Sequence, residues 1–262
     1  METLKTLLLV HLFAIALLSC GGGGSEDIPL STPSLTPIPT DTIDNKVQLL
    51  LDFSESSDGW NADFADYPIK DINLFDFISA IEPIPPQLES MTGYRLTGNN
   101  RSDDLIMFIK KGFNGFVPNA QYQLIFEITF ATNIQSDCVG VGGPPGEAVT
   151  IKAGASINEP LKVLDNNDVY RMNIDIGNQK NSGQNAIAMG NFANSQQCDL
   201  DNAFYELKTL TNANDNTKSL IIKTDSKGVL WFLFATDSGF ESLTNIYFVK
   251  GSIVATNLSP LN

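Results

Sequence analysis

Between Lys46 and Thr256 apolar residues recur at every second position, in short runs broken by Gly, Asn, Asp and Pro. A period of two belongs to a strand with one buried face, and the breakers are turn formers. The clearest run is Tyr122-Gln123-Leu124-Ile125-Phe126-Glu127-Ile128-Thr129-Phe130-Ala131, announced by Val117-Pro118-Asn119-Ala120. Val47–Phe53 opens the series, and Gly93–Thr97 and Leu105–Ile109 follow, joined by the turn-rich residues 98–104. Further strands are expected at 148–153, 169–175, 185–189, 204–209, 219–223, 229–236 and 245–255, while only 72–80 has a helix-like pattern. Trp231 sits in the continuous apolar run Leu230–Phe234 and reads as core. Many short strands at this spacing predict an all-β fold, a two-sheet antiparallel β-sandwich (jelly roll) of about eleven short strands. Residues 46–262 read as one domain, with no internal repeat and no proline-rich or charged break.

Composition removes several function classes. The formal net charge is −14. Such a chain repels phosphate backbones, so no nucleic-acid partner is expected. The single histidine, His11, lies near the N-terminus in a segment expected to be removed. Without imidazole the remaining chain lacks the usual serine or cysteine triad, histidine-ligated zinc and histidine acid–base chemistry.

That N-terminal segment has Lys5, an apolar run from Leu7 to Leu18, then Ser19 and Cys20. The run is about a dozen residues, against the ~20 needed to span a bilayer, so it reads as a secretory signal over residues 1–19. Leu17-Leu18-Ser19-Cys20 resembles the lipobox of bacterial lipoproteins. The resemblance implies cleavage before Cys20, lipidation of that residue and attachment to a membrane through the lipid alone. Glu2 and Lys5 leave together, so the net charge stays at −14. Residues 20–45, with four glycines and then Pro29, Pro33, Pro37 and Pro39 among Ser and Thr, read as a flexible tether. The expected location is the bacterial cell envelope, at the outer membrane or cell surface.

Two cysteines remain, Cys138 and Cys198. In an oxidising compartment such a pair forms a disulfide; two free thiols or a metal pair are the alternatives. Gly140, Gly142, Gly143 and Gly146 make the Cys138 loop either a rigid lip beside a binding face or a long surface crossover. A bridge would bring Asp137 and Glu147 near Asp199 and Asp201, an oxygen-rich set suited to structural calcium; solvated loop carboxylates are the alternative. No other cofactor is expected.

Several stretches resemble carbohydrate-binding modules of the galactose-binding-like jelly-roll type. Leu51-Asp52-Phe53-Ser54 running to Gly59-Trp60 is similar to their first strand. Val117–Leu124 is similar to their "L-x-P-x-T-x-Y-x-L" strand, and Thr244–Val254 to their last. Val249-Lys250 stands where an aspartate is usual. Residues 136–155 and 236–242 resemble uncharacterised bacterial lipoproteins. The module resemblance implies a non-catalytic protein that binds an extracellular glycan. Trp60, Phe64 and Tyr67, in an irregular stretch, are the candidate stacking platform, since aromatic rings cover pyranose faces. For Trp60, packing at the edge of the core is the alternative. Asn99, Asn100 and Arg101 are the candidate polar contacts. A glycosidase or lyase using paired carboxylates, and a structural or partner-binding lipoprotein, are the competing readings.

Overall fold

The computed structural model describes residues 34–39, 45–101 and 103–259. The signal segment 1–19, Cys20 and residues 20–33 of the tether lie outside the described residues.

The expected sandwich is present, with sixteen strands among the described residues. They are β1 (Leu35–Pro37), β2 (Lys46–Asp52), β3 (Asn61–Ala65), β4 (Tyr67–Pro68), β5 (Ile78–Pro83), β6 (Thr92–Asn99), β7 (Leu105–Asn114) and β8 (Gln121–Thr132). The second half holds β9 (Val149–Ser156), β10 (Lys162–Leu164), β11 (Val169–Met172), β12 (Ala186–Asn191), β13 (Glu206–Thr211), β14 (Leu220–Lys223), β15 (Val229–Ser238) and β16 (Leu243–Asn257). One sheet contains the order β7-β15-β9-β12, and the other contains β13-β8-β16-β6. In chain order these eight strands change sheet at every step except from β9 to β12, which pair within the first sheet, and this is the order of a jelly roll. β3 extends the first sheet beside β7, while β5, β2 and β14 extend the second.

Strand alternation builds the interior. β2 runs buried–exposed from end to end, and β8 turns Tyr122, Leu124, Phe126, Ile128 and Phe130 inward. These meet Phe232 and Phe234 of β15 and Phe248 of β16; Phe126 and Phe234 touch edge to face at 6.0 Å.

β7 and β15 are buried along nearly their whole length, which a one-sided sheet would not require. The reason is a roof. Residues 157–185 leave β9, form with β4 a small sheet of order β10-β11-β4, and fold over the outer face of the first sheet. Beneath it Ile174 and Ile176 pack on Ile106, Phe108, Leu233 and Ala235, a second core separate from that of the sandwich. Covering both faces makes Leu105–Ile109 and Leu230–Phe234 read as unbroken apolar runs, and Trp231 is buried as expected.

Two expectations need correction. Residues 72–80 do not form a helix: Ile72–Phe75 is one 3-10 turn bounded by left-handed Asp71 and Asp76, and Ile78–Pro83 is strand β5. Part of the expected tether is also strand. Leu35–Pro37 pairs in parallel with Gly112–Asn114, and Leu35 lies over Gly112, where a Cβ would strike it. Pro37 is tolerated because the strand is at an edge.

Candidate functional site

The expected aromatic platform is absent. Trp60 is 1 % exposed, between Phe53 (6.5 Å) and Phe234 (5.9 Å). Tyr67 is also 1 % exposed, and Phe64 is stacked on Phe77 at 4.2 Å on strand β3 rather than in an irregular loop. Burial lifts the Tyr67 phenol above its ordinary pKa. Rings enclosed this way offer no face to a pyranose.

The polar candidates are structural too. Asn100 is buried, and its amide donates to the carbonyls of Ser238 (2.7 Å) and Phe240 (3.0 Å), tying the β6–β7 turn to the end of β15. Arg101 donates to the Leu74 carbonyl at 3.0 Å, and Asn99 closes the β6–β16 ladder opposite Leu243.

Cys138 and Cys198 form the disulfide, with Cα atoms 5.1 Å apart. The bridge does bring the acidic loops to one end of the sandwich. Glu147 Oε1 accepts from the Asp137 N–H at 3.1 Å, and Asp199 accepts from Asn202 at 2.8 Å. They do not converge, however: among the described residues no three Asp, Glu, His or Cys side chains gather as a cation would need. The Gly-rich loop is held rigidly. Gly142 has φ +74°, and a Cβ there would strike the Gly239 carbonyl, so only glycine fits.

One end of that loop borders an open groove of ≈ 370 Å³, a size usual for small-ligand sites. The groove follows β12, the edge strand of the first sheet. Glu147 and Thr150 line it from the start of β9, Ala188, Gly190 and Asn191 from β12, Lys180 from the roof, and Lys218 from the turn before β14. A free strand edge ordinarily invites another strand. Here it is plugged: Gly183 N–H donates to the Ala186 carbonyl, Ala188 N–H to Ser182 Oγ, and Lys218 Nζ to the Met189 carbonyl (3.1 Å). Whatever occupies the groove meets side chains, not an open backbone ladder. Behind it Lys208 Nζ donates to Asn191 Oδ1 (2.7 Å) and the Ala193 carbonyl (2.6 Å). Burial lowers the Lys208 pKa, and the Glu147 charge partly offsets that. Glu147 Oε2 is buried and has no hydrogen-bond partner.

The roof is fastened by a buried ion pair. Lys152 Nζ meets Asp237 Oδ2 at 2.9 Å and also donates to the carbonyls of Ile176 (2.8 Å) and Asn181 (3.0 Å). Asp237 Oδ2 further accepts from the Gln179 N–H at 2.8 Å. Burial raises the Asp237 pKa despite Lys152. At the rim Asp66 pairs with Arg171 at 3.0 Å. Asn178 Nδ2 lies 3.3 Å from both carboxylate oxygens of Asp104. Desolvation, then the charges of Asp237 and Asp66, push Asp104 up to about 6 from 3.8.

This shift makes a prediction. A carboxyl whose pKa rises on folding binds its proton more tightly when folded, so its contribution falls as pH climbs from about 4 through about 6. Asp104→Asn is expected to raise stability at pH 7 by roughly 1–2 kcal/mol after solvent screening. The gain should vanish near pH 4. Urea denaturation at both pH values checks it, and a pH-independent gain would contradict the charge argument.

Sequence reasoning found neither the groove nor the Lys152–Asp237 pair. No motif joins residues that come from four separate elements.

No protein-family model matches the chain, and no curated protein does. Among solved structures the chain is similar to a xylan-binding domain from CBM 22, at 12 % identity and TM-score 0.36, covering 81 % of this chain and 96 % of that one. It is similar to the C-terminal family 22 carbohydrate-binding module of Clostridium thermocellum Xyn10B, at 13 % identity and TM-score 0.34, with coverage of 81 % and 96 %. It is also similar to the K1 cleaved adhesin domain of Lys-gingipain from Porphyromonas gingivalis, at 8 % identity and TM-score 0.33, with coverage of 79 % and 96 %.

Proposed function

We propose that this chain is an exported, lipid-anchored, non-catalytic protein that binds an extracellular glycan in the groove along β12. The observation that carries the reading is the chemistry of that groove. It is open along its length and lined by an amide, a hydroxyl, a carboxylate and two ammonium groups, on an edge closed to strand addition. Hydroxyl-rich polymers are gripped by such side-chain donors and acceptors, whereas a peptide strand would need the plugged backbone groups. The lipobox resemblance and the glycine- and proline-rich segment after Cys20 support tethering at the cell surface.

Calorimetric titration of residues 34–262 with a polysaccharide panel tests this. Saturable binding by at least one polymer is expected. Asn191→Ala should weaken it about tenfold, because the variant loses a lining amide and releases Lys208. A panel with no binder would sink the reading.

The raised Asp104 pKa favours a second reading, a glycosidase using paired carboxylates, since a general acid needs such a shift. Its neighbours are otherwise engaged: Asp66 pairs with Arg171 and Asp237 with Lys152. Release of reducing ends by the native protein but not by Asp104→Asn would replace binding with catalysis.

A further inference from the structure

We infer that the β12 groove is built for an anionic glycan, one bearing carboxylate or sulfate groups, gripped by Lys180 and Lys218; this rests on the glycan-binding reading above. The chain has 30 acidic and 16 basic residues, and where cations pack against its body they are spent on carboxylates. Lys110 meets Glu159 at 2.9 Å, Lys152 meets Asp237 at 2.9 Å, and Lys162 meets Asp63 at 2.8 Å. Among the packed cations of the described residues only Lys208, behind the groove, departs from this; Lys180 is exposed, like Lys223 and Lys250, but lines the groove. Among the described residues Lys180 makes no ion pair or hydrogen bond, and half-buried Lys208 has two neutral oxygen acceptors but no carboxylate within 4 Å. Lys218 has only Asp215, at 3.7 Å.

These cations are also placed, not scattered. The backbone on both sides of Lys180 is pinned, the Gln179 N–H by Asp237 and the Asn181 carbonyl by Lys152. The Lys218 ammonium is held by the Met189 carbonyl, and its own carbonyl accepts from Asn212 at 2.8 Å. Fixing the Lys218 side chain, and the backbone that carries Lys180, before binding lowers the ordering cost of association. An ammonium anchored through neutral oxygens keeps its charge available to a ligand.

The overall charge of −14 argues against an anionic partner at long range. Screening decides the balance: the Debye length is about 8 Å at physiological salt, so groups inside the groove outweigh carboxylates on distant faces. Glu147 then sets register, since it repels an anionic substituent at its own end and accepts from a hydroxyl there.

Titrations at physiological salt with polygalacturonate, chondroitin sulfate and neutral xylan test the inference. We expect polygalacturonate or chondroitin sulfate to bind at least tenfold more tightly than xylan, and because chondroitin sulfate carries both glucuronate carboxylates and sulfates, comparing it with unsulfated chondroitin identifies the anion. Lys180→Glu should abolish that preference, while Lys180 bears no fold contact whose loss would unfold the protein. Lys218→Gln should weaken anionic polymers several-fold, and Glu147→Gln should tighten them. Xylan bound as well as the anionic polymers would overturn the anion inference and leave glycan binding standing. Anionic binding unchanged by Lys180→Glu and Lys218→Gln would overturn the assignment to this groove. No binding of any polymer would overturn both.

Discussion

Lys152→Met is expected to destabilise the fold by about 3–5 kcal/mol, the cost of leaving a buried carboxylate without its partner. Lys152 and Asp237 are both almost fully enclosed, and Asp237 Oδ1 already lacks a hydrogen-bond partner. Methionine fills most of the lysine volume, so the loss is electrostatic and not a cavity. It also frees the carbonyls of Ile176 and Asn181, which hold the roof over the first sheet. Two further measurements separate these causes. Burial already raises the Asp237 pKa, with Lys152 opposing it, so removing Lys152 raises it further. The folded variant then takes up a proton that the unfolded chain does not, and its deficit should shrink as pH falls toward the acidic range. Lys152→Met/Asp237→Leu should recover most of the loss, because an apolar pair of similar volume avoids the desolvation cost. Guanidinium denaturation of the native protein, Lys152→Met, Asp237→Leu and the double variant completes the cycle. Additive losses in the double variant would show that the pair acts through something other than mutual charge compensation. The same substitution should weaken the groove, since Lys152 anchors the backbone beside Lys180.

The pairing pattern explains how much of this was legible. All eleven expected strands are present because their alternation or length survives without knowledge of neighbours. The five unforeseen strands, β1, β3, β4, β5 and β10, are short, all but β10 contain Asp, Asn or Pro, and they exist because longer strands supply a ladder. Residues 72–80 show the opposite failure. Their apolar spacing suits a helix, yet Asp71 and Asp76 take left-handed conformations that confine the turn to four residues. The disulfide followed from counting cysteines. The roof was harder to see: Ile174 and Ile176 alternate like strand residues, but they bury against an outer sheet face that only the topology reveals. The groove was harder still. Glu147, Lys180, Asn191 and Lys218 span more than seventy positions and share no spacing. A sequence shows which residues are cationic; it does not show which of them folding leaves unneutralised.

Trp60→Ala is expected to cost about 3–5 kcal/mol of stability and to leave the glycan affinity of the folded protein unchanged. Trp60 follows the Ser57–Gly59 turn, where its N–H donates to the Ser57 carbonyl at 2.8 Å. From there the ring enters the core edge to face with Phe53 and tilted against Phe234. Truncation would open one of the largest cavities this core can hold, bordered by rings from both sheets that cannot collapse into it. The indole Nε1 is buried without a hydrogen-bond partner, so part of what tryptophan contributes is offset by an unmet donor. Trp60→Phe should therefore be mild, roughly 1–2 kcal/mol, because it sheds the orphaned N–H along with some volume. Thermal denaturation ranks the three proteins, and titration with the best-bound polysaccharide provides the independent readout. If Trp60→Ala keeps the native melting temperature but loses the ligand, the ring must leave the core to meet a sugar, and the groove along β12 is not the binding site. If it loses stability and keeps affinity, the aromatics between residues 53 and 67 serve the scaffold, and recognition belongs to the polar groups at the far edge of the same sheet.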